Sequence, residues 1–117
     1  MPFSTGKHMR LARLLHPRSG RVLGLAFDHA IQLGPLPGME DAAAVIEDAA
    51  AAGVDAMILT PGLLGRYADR LGGRDRPAVI LRLDHTTMWR VGSETGYDQG
   101  DTQLVCSVDD ALAALHG

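Results

Sequence analysis

Three apolar runs of strand length, Val22–Phe27, Val54–Thr60 and Ala78–Asp84, are each followed by a longer stretch before the next element, and this limits the fold more than any other feature of the 117 residues. None of the runs alternates apolar with polar residues, as a strand wetted on one side would. Continuous apolar runs suit parallel strands covered on both faces. The stretches between them read as helices, so the expected fold class is α/β, with a parallel sheet and right-handed crossovers.

The helical signals are local. Lys7 to Leu15 places Leu11, Leu14 and Leu15 on one side of a short lead-in helix, which His16-Pro17-Arg18-Ser19-Gly20 breaks. After the loop Gly34-Pro35-Leu36-Pro37-Gly38, acidic residues from Glu40 to Asp48 flank an Ala-rich helix ended by Gly53, with Glu40 and Asp41 expected in its first turn. Leu63 to Leu71 predicts a second crossover helix. His85 to Thr102 has no period and reads as a long loop, followed by a short extended piece at Gln103–Cys106. Ser107 then heads a last helix through Leu115, with Asp110 three residues on.

A barrel of eight such units takes about 250 residues. Roughly three units are present here, and three two-faced strands with two open edges cover their own apolar surface poorly. The expectation is a single incomplete domain over 1–117, the N-terminal portion of a (β/α)8 barrel: residues 1–20 as lead-in helix and turn, and 21–117 as the first three β/α units.

Fourteen acidic against eleven basic side chains, a net charge of −3, give no basic field, so neither nucleic acid nor an anionic membrane is an expected partner. Arg66, Arg70, Arg74 and Arg76 form a local exception that fits a solvated helix face and turn. Cys106 is the single cysteine. That excludes an internal disulfide, favours a reducing compartment, and with no apolar span or signal-peptide core makes the cytoplasm the expected location.

Asp28-His29 ends the first run and Asp84-His85 the third, so identical pairs are expected at the same end of alternate strands, where α/β proteins place their chemistry. These side chains suit proton transfer on the hydroxyls of a polar substrate, or a metal site, or simply helix caps and loop contacts. Arg82 interrupts an apolar strand and needs an acidic partner or a bound anion; Asp84, two residues on, faces the same way. Cys106 precedes a helix N-cap but is expected to be buried filler. Trp89 and Tyr97 either line a pocket or pin the loop. Gly34-x-x-x-Gly38 lacks the Gly-Lys-Ser/Thr of a P-loop.

Five segments, Gly6–Leu14, Phe27–Gly38, Ala51–Gly62, Val79–Thr87 and Cys106–Leu115, resemble in order the archaeal-type class I fructose-bisphosphate aldolases, a group that includes related sugar-phosphate aldolases and aminodideoxyheptulosonate synthases. Asp28, His29, Gly34 and Pro35 carry its most specific signature, and Ser107 to Ala111 a second. The resemblance implies a (β/α)8 barrel of carbohydrate metabolism, of the glycolytic type, that makes or breaks a carbon–carbon bond through a lysine Schiff base, with no cofactor. It implies that Asp28 and His29 are catalytic, that Arg82, Asp84 and His85 bind substrate, and that a phosphorylated sugar and a homo-oligomer are the partners. The family's Schiff-base lysine, acid–base tyrosine and phosphate loops lie on strands four and six to eight. Lys7, the only lysine here, sits in the lead-in helix.

The leading expectation is therefore a fructose 1,6-bisphosphate-cleaving class I aldolase whose first 117 residues are silent by themselves. The alternatives are a metal-dependent lyase or hydrolase using Asp28, His29, Asp84 and His85, and a non-catalytic half-barrel that assembles with itself or a partner.

Overall fold

The computed structural model describes residues 4–88, 92, 94 and 99–116. In chain order these form α1 (Thr5–Leu14), β1 (Gly24–Ala26), α2 (Ala30–Leu33), α3 (Ala42–Ala52), β2 (Ala56–Leu59), α4 (Pro61–Leu71), β3 (Ala78–Leu81), β4 (Asp84–Thr86), β5 (Thr102–Leu104) and α5 (Val108–His116). The chain is α/β. β1, β2 and β3 make a parallel sheet in that order, and β4 and β5 an antiparallel pair.

The register explains which side chains are buried. Leu25, Met57 and Val79 share one row, and Leu59 and Leu81 pair in the next on the same face. This face meets α3 and α4: Met57, Leu59, Phe27, Ile46, Ala49, Leu64 and Leu71 form the core, with Leu25, Val79 and Leu81 packed against it. The opposite face carries Gly24, Ala26, Ile58 and Ile80 in alternate positions. Among the described residues no helix covers it in the same way. Gly24, Ala26 and Ile80 are exposed and Ile58 is half-buried; in these rows only the alanines Ala56 and Ala78 are buried.

The helix ends follow from side-chain chemistry. The Asp41 carboxylate accepts from Ala44 N–H at 3.0 Å and caps α3, and Gly53, at φ 74°, closes it in the left-handed conformation. Asp41 therefore lies just before the first turn, not within it. Glu40 is also outside the helix, where its carboxylate accepts from Gly38 N–H at 2.8 Å. α4 starts earlier than Leu63, because Thr60 caps it through Leu63 N–H and Pro61 occupies a position that needs no donor. Ser107 Oγ accepts from Asp110 N–H at 3.0 Å and donates to its carboxylate at 2.7 Å, as the spacing predicts.

Four other expectations are corrected. The first run forms a strand only over Gly24–Ala26, and Val22 and Leu23 are exposed: among the described residues β1 has β2 as its one neighbour, and Leu23 is held before the ladder begins by the Asp55 carboxylate on its N–H at 2.7 Å. The third strand stops at Leu81. The expected loop after it contains a hairpin, Asp84–Thr86 against Thr102–Leu104, whose three-residue strands are too short to show a period. Cys106 is half-buried, its thiol donating to the Ser107 carbonyl at 3.4 Å. The four arginines lie on a solvated face and turn as expected, Arg66, Arg70 and Arg74 exposed and Arg76 half-buried, and two of them, Arg76 and Arg70, reach Glu47 of α3 at 2.8 and 3.3 Å, clamping α3 to α4 and the turn after it. Trp89 and Tyr97 lie outside the described residues.

The two faces of the sheet predict different costs. Met57→Ala should destabilise by about 2–5 kcal/mol, as for a fully buried core side chain, while Ile80→Ala on the open face should cost under about 1 kcal/mol; denaturant titration of each checks this. The Arg76 hydrogen bond, with Arg70 adding to it, holds the Glu47 carboxyl below its ordinary 4.5. A carboxyl depressed in the folded state stabilises fully above its unfolded value and loses that contribution as pH falls through the lower folded one. Thermal melts of Glu47→Gln should therefore match the wild type more closely below about pH 4 than at pH 7.

Candidate active site

The three parallel strands end together, and the residues just beyond β1 and β3 make up the candidate site. Phe27 N–H donates to the Ile58 carbonyl at 2.9 Å and Arg82 N–H to the Leu59 carbonyl at 2.8 Å, so both ladders run one step past the strands. Asp28 and Arg82 thus leave the outer strands at one level, with β2 between them. Outer strands of a three-stranded sheet lie roughly 10 Å apart. Arginine is long enough to close that gap.

It does so. Arg82 Nη1 donates to Asp28 Oδ2 at 2.8 Å, and Nε lies 3.0 Å from both the carbonyl oxygen and Oδ1 of Asp84. Asp28 is buried, 8% exposed, so the guanidinium takes over part of what water would otherwise supply. The hydrogen bond to Asp28 raises the Arg82 pKa above its ordinary value against the opposing effect of burial, and the charges of Asp84 and Asp28 reinforce it. Arg82 therefore stays a cation, and the Arg82–Asp84 pair expected from period two is one arm of a three-residue cluster.

The two Asp-His pairs do not converge as whole units. Their carboxylates meet through Arg82, but the imidazoles take no part in it. His29 heads α2 without capping it, and its carbonyl accepts from Gln32 and Leu33 N–H groups. Nδ1 of His29 and Nδ1 of His85 are buried without a hydrogen bond. Among the described residues no three His, Cys, Asp or Glu side chains are grouped so as to hold a metal ion, so the four residues of the metal-dependent alternative do not form such a group.

Beside the cluster lies a cleft of about 370 Å³ lined by Gln32, Arg82, Asp84, Thr86, Met88 and Thr102. Gln32, Thr86 and Thr102 are not singled out by sequence reasoning. A signal was available: Asp84 and Thr86 are two apart and share one side of a strand, once that segment is read as one. By the same alternation His85 turns away, and it does not line the cleft.

Breaking the cluster from one side should cost more than replacing it. Arg82→Met should destabilise by about 3 kcal/mol by leaving Asp28 buried and unpaired, and the double variant Asp28→Leu/Arg82→Met should recover part of that loss. Chemical denaturation of the single and double variants measures both.

Comparison with known proteins places the chain in a family. A model of the DeoC/LacD family aldolases matches residues 22–114, from before β1 into α5. An uncharacterized aldolase of Saccharolobus solfataricus is 33% identical over 109 residues, covering 93% of this chain and 39% of that protein. The 2-amino-3,7-dideoxy-D-threo-hept-6-ulosonate synthase of Halobacterium salinarum is 32% identical over 109 residues, 93% of this chain and 37% of that enzyme. The chain thus spans under two-fifths of the length of these curated relatives. No helix of the described residues is long and apolar enough to cross a membrane. With all three parallel strands, Asp28, Arg82 and Asp84 inside the matched region, the chain belongs to the DeoC/LacD family of aldolases.

Proposed function

We propose that these residues form the opening units of a (β/α)8 barrel in a Schiff-base aldolase acting on a phosphorylated sugar. The observation that carries this reading is the Asp28–Arg82–Asp84 cluster at the carboxyl ends of parallel strands, the end where such barrels hold their reacting groups. A carboxylate fixed by a guanidinium can accept a hydrogen bond from a substrate hydroxyl or from an amine without leaving its place. Asp28 has that role here. His29, next along the chain and with Nδ1 unpaired, faces the substrate in this reading.

The amine that forms the iminium comes from elsewhere in the barrel. Lys7 is exposed in α1, whose Arg10 and Arg13 border a cleft that reaches Ala78, the first residue of β3. That is the opposite end of the sheet from Asp28. An amine there does not reach a carbonyl held at the cluster, so the reactive lysine lies on the part of the barrel that the longer relatives have beyond this stretch. Fructose 1,6-bisphosphate, split to dihydroxyacetone phosphate and glyceraldehyde 3-phosphate, is the first substrate to test. The name of the Halobacterium relative supplies the second, a reaction forming 2-amino-3,7-dideoxy-D-threo-hept-6-ulosonate.

Borohydride trapping tests the reading. The 117-residue protein incubated with dihydroxyacetone phosphate and borohydride should gain no adduct, and modification of Lys7 would overturn the assignment of the amine. A chimera carrying residues 22–114 in place of the matching segment of the Halobacterium enzyme should trap a ketone substrate and lose trapping on Asp28→Ala. A folded Asp28→Ala chimera that traps as well as its unsubstituted parent would overturn the role of the cluster.

A further inference from the structure

At the end of the sheet away from Asp28, a cleft of about 290 Å³ opens between three helices and the foot of β3. α1 lends it Arg10 and Arg13, α4 the core residue Leu71 with Ala68 at an exposed lip, α5 Leu115, and β3 Val79. Leu71, Val79 and Leu115 make one wall apolar. α1, which forms the other, has no buried residue of its own.

The net charge of −3 hides a division along the chain. Residues 1–21 hold Lys7, Arg10, Arg13, Arg18 and Arg21, five of the eleven basic side chains, and none of the fourteen acidic ones. Arg10 is half-buried and Arg13 exposed, and residues three apart on a helix are neighbours on its surface. Neither side chain makes an ion pair or a hydrogen bond among the described residues, whereas Arg70, Arg76 and Arg82 each meet a carboxylate. No Asp or Glu side chain lines the cleft. The last turns of α4 and α5 border it, and their carbonyl ends carry about half a negative charge each, so two guanidiniums leave the cleft positive.

Two cations without a counter-ion beside an apolar wall suit a ligand of the complementary build, an anionic head on an apolar body. A guanidinium matches a carboxylate in both charge and shape, and the body removes apolar wall from water. We propose that this cleft binds a small carboxylate with an apolar body, its head held by Arg10 and Arg13, and that the bound molecule fastens α1 to α4 and α5. The volume, near the lower end of the roughly 300–1,000 Å³ of small-molecule sites, limits the body to about one ring or a short chain. The inference goes beyond the aldolase reading and does not depend on it, since the cleft and the Asp28–Arg82–Asp84 cluster lie at opposite ends of β3.

Phenylacetate is the probe, with phenylacetamide as its neutral counterpart and acetate as the head alone; amide chemical shifts and hydrogen exchange of the 117-residue protein are the readouts. Phenylacetate should move the signals of Ala68, Val79 and Leu115 and saturate. At saturation it should slow exchange of the α1 amides, which have few packed contacts to protect them. Phenylacetamide and acetate should each bind more weakly by about tenfold or more, the first for want of charge and the second for want of a body. Arg13→Gln should weaken phenylacetate binding by about tenfold and Arg13→Lys by less; with no partner at Arg13, neither change removes an ion pair from the fold. Ala68→Phe, at the exposed lip, should fill the cleft and abolish binding. The site is overturned by phenylacetamide or acetate binding as tightly as phenylacetate, by shifts confined to Ile58 and Ile80 on the open face, or by no saturable response. Unchanged binding by a folded Arg13→Gln or Ala68→Phe protein, or unchanged α1 exchange at saturation, overturns it equally.

Discussion

The level of the parallel sheet is set by β2. It is hydrogen-bonded to a parallel neighbour on each side, and Ala56, Met57 and Leu59 in it have no exposed surface. A strand of four residues paired on both edges has no freedom to slip, because a one-residue shift would move Met57 and Leu59 from the helix-facing side to the open one. That constraint fixes the level at which β1 and β3 end. The candidate site is a consequence of it: Asp28 and Arg82 meet because two ladders have been carried to the same height.

The remaining contacts serve this frame. The Glu47 clamp holds α3 against α4 from outside, while Thr60, Asp41 and Gly53 set where the helices start and stop. The open face with Ile58 and Ile80 lies below the cluster, so the candidate site sits at the rim of a surface that the proposed barrel turns inward. Apolar contact holds one side of the sheet, and the polar groups are gathered at its end.

The parts legible in the sequence are those governed by local rules. Continuous apolar runs located the parallel strands, and Gly53 and Ser107 marked helix ends, because a left-handed cap and a hydroxyl cap need only neighbours in the chain. Period two placed Arg82 beside Asp84. The hairpin was illegible because its pairing joins residues far apart and each strand is too short to show alternation. Missing it hid Thr86 and Thr102. The reach of Arg82 to Asp28 was equally hidden, since the strand order β1-β2-β3, and not the sequence, puts a single strand between them. The histidines follow their aspartates in the chain, and adjacency along a backbone that turns is no guide to adjacency in space.

The ion pair between Asp28 and Arg82 joins residues 54 positions apart, and it passes over the end of β2. It behaves as a clasp that shuts only when both halves of the sheet are in place. Loop closure over that separation is entropically costly and gains nothing until the intervening strands have paired. Pairing of Asp28 with Arg82 is thus tied to a late step of the sheet's formation, so a misregistered sheet carries an unpaired buried carboxylate. The same bond reports whether both ladders have reached their full length.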